Sequence, residues 1–209
     1  MAGPSIRPPD DQPASPLLTT SSVLCIIGAL AYASVVVLEP DATDRAAFAS
    51  PTSIAGSIIV TLGLALAIIH LANDPAILGG WARRVTIAAI AFTLATAWFS
   101  GTAIVAIGDH TTDAQFESIG TSPWTMLFLA PKMFLGPIGF IGWAITERRS
   151  GQRRRSSTIA LACAGLASLL PPFAPGVLVL GIALGLIARE RPQTANEHLD
   201  GTEAIARTR

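Results

Sequence analysis

Apolar residues along this chain are gathered into long blocks that short polar segments separate. Four of the blocks contain about 20 residues, which is the helix length needed to cross roughly 30 Å of hydrocarbon. The pattern predicts an all-α fold, a polytopic transmembrane helical bundle. Its four full spans cover residues 17–38, 53–72, 85–107 and 125–146.

The last apolar region, residues 157–188, is interrupted by a proline-rich segment at 171–176. It forms either one kinked span or a short helical hairpin with arms at 157–171 and 175–188. Each arm would be roughly 23 Å long, given the rise per residue of an α-helix. This is short for a crossing, although hydrophobic mismatch costs only fractions of a kcal/mol per Å.

Arginine positions distinguish these two topologies. Short loops rich in arginine stay in the cytoplasm, and five arginines follow the fourth span between residues 148 and 155. A single last span would put Arg189 and Arg191 on the opposite side, whereas a hairpin keeps them on the same side. The hairpin leaves 12 of the 13 arginines in the cytoplasm, with Arg45 outside. The sequence therefore predicts six membrane segments in the plasma membrane, with both termini cytoplasmic.

Both ends of the chain are polar and flank a transmembrane domain at residues 17–188. Residues 1–16 carry five prolines and residues 189–209 have no apolar block, so disordered cytoplasmic tails are predicted. Cleavage of the first apolar block as a signal peptide is an alternative, because small-residue sites such as residues 29–31 occur in it. We favour a retained span, since the block is long for a signal sequence and Arg7 alone precedes it.

Composition supports the membrane assignment. Only 13% of the residues are charged, against roughly 25% in an average soluble protein, and the mean hydropathy is +0.54. Cys25 and Cys163 lie in apolar blocks without a CxxC or Cys/His cluster, so we expect packing residues and no disulfide. No cofactor, resident metal or nucleic acid partner is predicted.

Lys132 is the strongest functional candidate. It is the only lysine beside 13 arginines, and it lies eight residues into the fourth span. A charge at the bilayer centre costs about 2.5–3.5 kcal/mol on insertion scales, so such a residue suggests a functional site. Three interpretations stay open: an anchor that extends to the outer headgroups, a substrate, ion or proton site, and an ion pair with a carboxylate of Glu39, Asp109, Asp113 or Glu117.

Pro131 and Pro137 flank this lysine and predict a kinked helix with freed carbonyl groups. Broken helices beside a charge occur at transporter sites. Close helix contacts along Gly136, Gly139 and Gly142 are the alternative explanation. Small residues also recur four apart in other spans, which lets helices approach closely within the chain or between subunits. These pairs are Gly63 and Ala67, Ala160 and Ala164, Gly181 and Gly185.

The loop between the third and fourth spans is acidic and carries the remaining site candidates. Thr112 and Gln115 form a capping box, which predicts a short helix from Asp113. On that helix Asp113 and Glu117 share one face, and His110 lies just upstream. These groups could attract a cation or a divalent metal ion. The spacing matches no established metal site, and a solvated acidic loop is the simpler interpretation.

Other polar and aromatic residues are expected at the membrane interfaces. His70 is interpreted as an interfacial cap of the second span rather than a proton-linked switch. Trp81 and Trp143 are placed at the cytoplasmic interface and Trp124 at the outer one, as in an aromatic belt.

The C-terminal hairpin resembles that of other small membrane proteins. An apolar arm, a proline turn and the glycine-spaced segment 180–188 are followed by basic residues. This arrangement is similar to the two-span hairpins of uncharacterised small multi-pass membrane proteins from high-GC Gram-positive bacteria. The resemblance covers about a sixth of the chain. It implies no activity, because such families have none assigned.

Catalytic motifs are absent from the chain, which has no HExxH, P-loop or GxSxG sequence and no intramembrane acidic pair. We therefore predict a non-enzymatic protein with no catalytic residues. The leading hypothesis is an accessory, scaffold or assembly subunit that contacts the lipid bilayer and either another membrane protein or its own copies. The alternative is a small transporter or channel, with a site drawn from Lys132, His110, Asp113 and Glu117. A membrane enzyme is the third class.

Overall fold

The computed structural model describes residues 15–38, 42–74, 78, 80–108, 110–150, 155–170 and 173–189. Every regular element in these ranges is a helix. The predicted disordered tails lie outside the described residues, with the exception of Ser15, Pro16 and Arg189. Pro16 begins the first helix and Arg189 ends the last one. The nine described helices are α1 Pro16–Leu38, α2 Asp44–Ala49, α3 Pro51–Asn73, α4 Gly80–Gly101, α5 Ala103–Gly108, α6 Asp113–Gly120, α7 Pro123–Ser150, α8 Arg155–Ala167 and α9 Ala174–Arg189.

Four helical stretches are long and apolar enough to cross a membrane. They are Pro16–Val35, Pro51–Asn73, Gly80–Gly108 and Thr125–Arg149. The all-helical class and the four long apolar segments predicted from the sequence are thereby confirmed. The third stretch combines α4 with the short α5, which follows it almost without interruption.

Two shorter helices, α8 and α9, follow in the region predicted as a hairpin. At the helical rise they are about 20 Å and 24 Å long. α8 ends at Ala167, and residues 168–170 form turns, so the first arm stops before its predicted end at 171. The cause is the Pro171-Pro172 pair, since a residue that precedes proline is driven out of the α region. The two prolines themselves lie outside the described residues.

Polar caps explain where the helices near one end of the molecule begin. Ser50 accepts a hydrogen bond from the Ser53 amide at 3.1 Å, with Pro51 in the first turn of α3. Thr112 and Gln115 form the predicted capping box at the start of α6. Thr43 caps α2, a helix that lies inside the predicted polar loop after the first span.

The six longer helices pack as sequential antiparallel neighbours. α1 contacts α3, α3 contacts α4, α4 contacts α7, α7 contacts α8, and α8 contacts α9. The last helix, α9, returns to pack along α1. These contacts close a ring in which each helix has a partner on both sides.

Close backbone approach holds α1 between its two neighbours. A side chain on Gly28 would place its Cβ 2.7 Å from the Gly56 carbonyl oxygen of α3, and one on Gly181 would lie 2.9 Å from an Ile26 side-chain carbon. Ser21 donates to the Gly63 carbonyl of α3 and Ser22 to the Gly181 carbonyl of α9, each at 2.7 Å. The small-residue pairs therefore serve contacts within the chain.

The two ends of the ring differ in charge. Six of the seven arginines that the structure describes lie at one end, which we call the basic end: Arg83, Arg84, Arg148, Arg149, Arg155 and Arg189. The opposite end, called the acidic end, carries the short helices α2, α5 and α6 with Asp44, Asp113 and Glu117. Arg45 also lies there, paired with Asp113.

Large side chains fill the ring toward the basic end. Trp143 is fully buried, and its indole N–H donates to the Glu147 carboxylate at 2.9 Å. The predicted place of Trp143 in an interfacial belt is therefore wrong, because α7 turns that face inward. Trp81 is 63% exposed, and the Trp124 side chain lies outside the described part of the chain. The buried cluster also contains Leu64, Leu71, Ile90, Phe140, Leu161 and Leu184.

Outward faces of the helices carry large apolar side chains, which is the pattern expected where lipid surrounds a protein. Among the most exposed are Val37, Leu38, Phe134, Ile159, Leu127 and Leu166. Cys163 also faces outward on α8, whereas Cys25 is buried. The expectation that both cysteines pack inside holds for Cys25 only.

Replacing Gly28 by alanine should destabilise the protein by about 1–3 kcal/mol, because the new methyl group meets backbone atoms that cannot move aside. The measurement is the melting temperature of the purified protein in mild detergent. Gly142→Ala is the matched control, since its added carbon meets only the ring of the exposed Trp81 at 3.3 Å. Equal melting temperatures for the two variants would contradict the close α1–α3 contact.

Candidate functional site

A cavity of about 560 Å³ opens inside the ring at the acidic end. Its walls come from α1, α3, α4 and α7, and the short helices α2, α5 and α6 surround its mouth. The exposed residues Asp44, Glu117 and Thr121 belong to its lining, so the cavity reaches the surface. The volume lies within the range of roughly 300–1,000 Å³ that is typical of small-molecule sites.

Short side chains explain why the ring is hollow at this end. Ser53, Thr96 and Ser100 line the cavity and are buried. At the basic end the corresponding inner positions of the same two helices carry Leu71 and Ile90. Because small hydroxyl residues cannot meet across the ring, the space between the helices stays unfilled.

Lys132 lies in this cavity and is the chemically distinctive group there. Its side chain is only 1% exposed. The interpretation of Lys132 as an anchor that extends to the outer headgroups is therefore wrong, because α7 directs the side chain into the ring. The candidate lysine belongs to the interior of the protein and not to its lipid-facing surface.

The ammonium group of Lys132 has one described protein partner, the carbonyl oxygen of Leu170 at 3.4 Å. Leu170 lies in the turn after α8, which ends at Ala167, so its carbonyl is outside the hydrogen bonds of that helix. A lysine has three N–H donors. Among the residues that the structure describes, two of them have no acceptor, and this leaves capacity for a ligand.

Carboxylates surround the mouth of the cavity without pairing with Lys132. Asp113 binds Arg45 instead, with the Arg45 Nε 2.5 Å from its Oδ1, and Arg45 also donates to the Gly108 carbonyl at 3.3 Å. Glu117 lines the cavity but makes no ion pair with the lysine within 4 Å. Of the predicted ion-pair partners, Asp113 is thus excluded by its contact with Arg45, while Glu39 and Asp109 lie outside the described residues.

The four predicted site residues are therefore divided by the fold. Lys132 and Glu117 line one cavity, whereas Asp113 and the exposed His110 are not part of its lining. His110 lies in a turn where its amide donates to the Ile107 carbonyl at 3.0 Å. Within the described ranges no three His, Cys, Asp or Glu residues come close enough to hold a metal ion.

Four aromatic rings form a continuous wall of the cavity. Tyr32 contacts Phe173 with ring centroids 4.6 Å apart and Phe48 at 6.1 Å, and Phe48 contacts Phe116 at 5.9 Å. All four line the cavity. They come from α1, α2, α6 and the turn before α9, so no local sequence pattern could have identified them.

Two other buried polar groups lie away from the cavity, near the basic end. Glu147, which the sequence places beyond the fourth span, is 3% exposed and accepts the Trp143 hydrogen bond. His70 is 8% exposed, with its Nδ1 3.4 Å from the Ser15 hydroxyl. His70 is thus a buried residue rather than the predicted interfacial cap, because the start of α1 covers it.

The prolines beside Lys132 do not break α7. Pro131 and Pro137 both lie inside a helix that continues for 28 residues. The three glycines that follow serve different contacts: Gly136 faces Ser168, Gly139 faces Thr86 of α4, and Gly142 faces Trp81. The predicted glycine stripe is therefore shared between neighbours on both sides of α7.

No protein-family profile, curated protein or solved structure matches this chain. The resemblance of the C-terminal hairpin to uncharacterised small multi-pass membrane proteins of high-GC Gram-positive bacteria stays a prediction. The functional argument rests on the cavity itself.

Replacing Lys132 by methionine should leave the melting temperature unchanged or raise it, because the variant removes a buried charge that has a single long hydrogen bond. The expected change in stability lies between zero and about 1 kcal/mol in favour of the variant. Thermal unfolding in detergent measures it, with Leu129→Met on the same cavity wall as the control. A marked loss of stability confined to Lys132→Met would instead identify the lysine as a structural cap of Leu170.

Proposed function

We propose that this chain is an integral plasma-membrane protein that binds and transports a small solute through the cavity that contains Lys132. The observation that carries the proposal is a buried ammonium with unused donors, facing a cavity of about 560 Å³ that reaches the surface. An ionisable residue inside a membrane protein is costly and normally serves a substrate, ion or proton. A residue kept there for packing alone would be apolar.

The topology of the proposal has six membrane segments, with α8 and α9 as a short hairpin. Closure of α9 on α1 supports this, since α9 lies beside a helix of full spanning length. The arginines at the basic end support a cytoplasmic location for that end, and for both termini, under the positive-inside rule. The cavity then opens to the outside of the plasma membrane.

The hypothesis of an accessory, scaffold or assembly subunit drew on the many small residues of the helices. Gly28, Gly63, Gly181 and Gly185 all meet side chains or backbone of neighbouring helices in the same chain. These residues are engaged within the protein and need no partner to explain them. The cavity therefore favours the transporter or channel, and nothing in the arrangement of Lys132 requires a catalytic role.

Cysteine labelling tests whether the cavity is solvated and alternately open. In a Cys163→Ser background, Ser100→Cys should react with a membrane-impermeant anionic methanethiosulfonate added from outside, because Ser100 lines the cavity. A transporter also exposes this position from the cytoplasmic side in part of its cycle, so slower reaction is expected in inside-out vesicles. Lys132→Met should slow the labelling of Ser100→Cys by the anionic reagent about tenfold, relative to labelling by a neutral reagent.

The native Cys25 is the internal control, since it is buried between helices and should stay unmodified. Absence of reaction at Ser100→Cys from either side would contradict a solvated cavity and favour the scaffold hypothesis. Reaction from the outside alone would indicate a binding protein that does not transport.

A further inference from the structure

We infer that the solute is a zwitterion of the betaine or phosphocholine type, with an anionic group at one end and a methylated ammonium at the other. The inference rests on the proposed function, because it names the solute class of the same cavity. It follows from groups of opposite preference that line one cavity: the Lys132 ammonium on one hand, and aromatic rings with two carboxylates on the other.

The Lys132 ammonium selects a negative group. Lys132 is 1% exposed, and its nearest described acceptor is a neutral carbonyl at 3.4 Å. A carboxylate or phosphate would form charge-assisted hydrogen bonds with the two unused donors. Such a group supplies the counter-charge that the described protein residues do not provide within 4 Å.

The aromatic wall of the cavity selects a positive group. Tyr32, Phe48, Phe116 and Phe173 line the cavity, and aromatic rings attract cations and are suited to quaternary ammonium. A quaternary ammonium has no N–H to donate, so it matches rings better than it matches hydrogen-bond acceptors. Asp44 and Glu117 lie in the same lining and add negative charge.

A solute with a single charge fits this arrangement poorly. A simple anion would meet Asp44 and Glu117 in the same lining, and a simple cation would meet the buried ammonium. A zwitterion with its anion at Lys132 and its cation at the aromatic wall satisfies both sets of groups and remains neutral overall. Neutrality also lowers the cost of moving the solute through a low-dielectric protein interior.

The size of the cavity supports an organic solute. A volume of about 560 Å³ corresponds to about 19 waters at roughly 30 Å³ each. This exceeds the requirement of an inorganic ion and accommodates glycine betaine with water, or a larger phosphocholine. The same chemistry occurs in free solutes and in phosphocholine lipid headgroups, and the experiment separates these sources.

The test is calorimetric titration of the purified protein in phosphatidylglycerol nanodiscs with three probes. Glycine betaine carries both charges. The probe 3,3-dimethylbutanoate has the same shape with carbon in place of nitrogen, and choline lacks the carboxylate. We expect glycine betaine to bind, and each singly charged probe to bind weaker by about tenfold or more.

Variants assign the two ends of the solute. Lys132→Met should abolish binding of glycine betaine. Phe48→Leu should weaken the binding of glycine betaine by roughly fivefold, because this solute gains from a cation–π contact. The affinity for 3,3-dimethylbutanoate, which has no cation, should stay unchanged. Phe134→Leu is the matched control, since this phenylalanine is 70% exposed on the outer face of α7 and should have no effect. Size-exclusion profiles verify that each variant is folded.

The outcomes separate this inference from the proposed function. Equal or tighter binding of 3,3-dimethylbutanoate that depends on Lys132 would overturn the zwitterion while leaving an anion-transporting cavity. If none of the three probes binds, the zwitterion inference is also overturned. The Ser100→Cys labelling then tests the proposed transport function independently of the solute class. If glycine betaine binds, the titration is repeated in nanodiscs that contain phosphatidylcholine. Loss of glycine betaine binding in these nanodiscs identifies the lipid headgroup as the occupant, whereas unchanged binding identifies a free solute.

Discussion

Close backbone contact along α1 is the constraint on which the rest of the structure depends. Apolar helix faces gain little from association in hydrocarbon, because lipid tails are equally apolar. α1 is held instead by glycine contacts and by serine hydrogen bonds to α3 on one side and α9 on the other. Since α9 ends the ring and α1 begins it, these contacts close the ring and separate its interior from the surroundings.

The interior of the closed ring has two halves that differ in how fully side chains fill them. Toward the basic end, Trp143 and branched apolar residues fill the space. Toward the acidic end, hydroxyl residues of α3 and α4 leave it open, and the short helices α2 and α6 complete the wall with Phe48 and Phe116. The Arg45–Asp113 ion pair ties these two helices together beside the opening. A buried charge can persist in such a protein because it faces this space rather than lipid.

The cavity combines chemical features that would be difficult to reconcile with a purely structural role. Lys132 lies where an apolar residue would pack more favourably, and four rings from distant segments meet around the same space. Each feature costs stability or needs long-range order, and the proposed solute would account for both.

The sequence by itself determined the helical class, the four long apolar segments and the capping box of α6, because these depend on local hydropathy and on residues a few positions apart. It also singled out Lys132 as a candidate. It could not determine which way a side chain faces within a helix that is apolar all round. Trp143, His70 and Cys163 were misjudged for that reason. Only the tertiary structure assembled the aromatic wall, paired Asp113 with Arg45 and left Lys132 facing a cavity, since these contacts join residues that the chain keeps far apart.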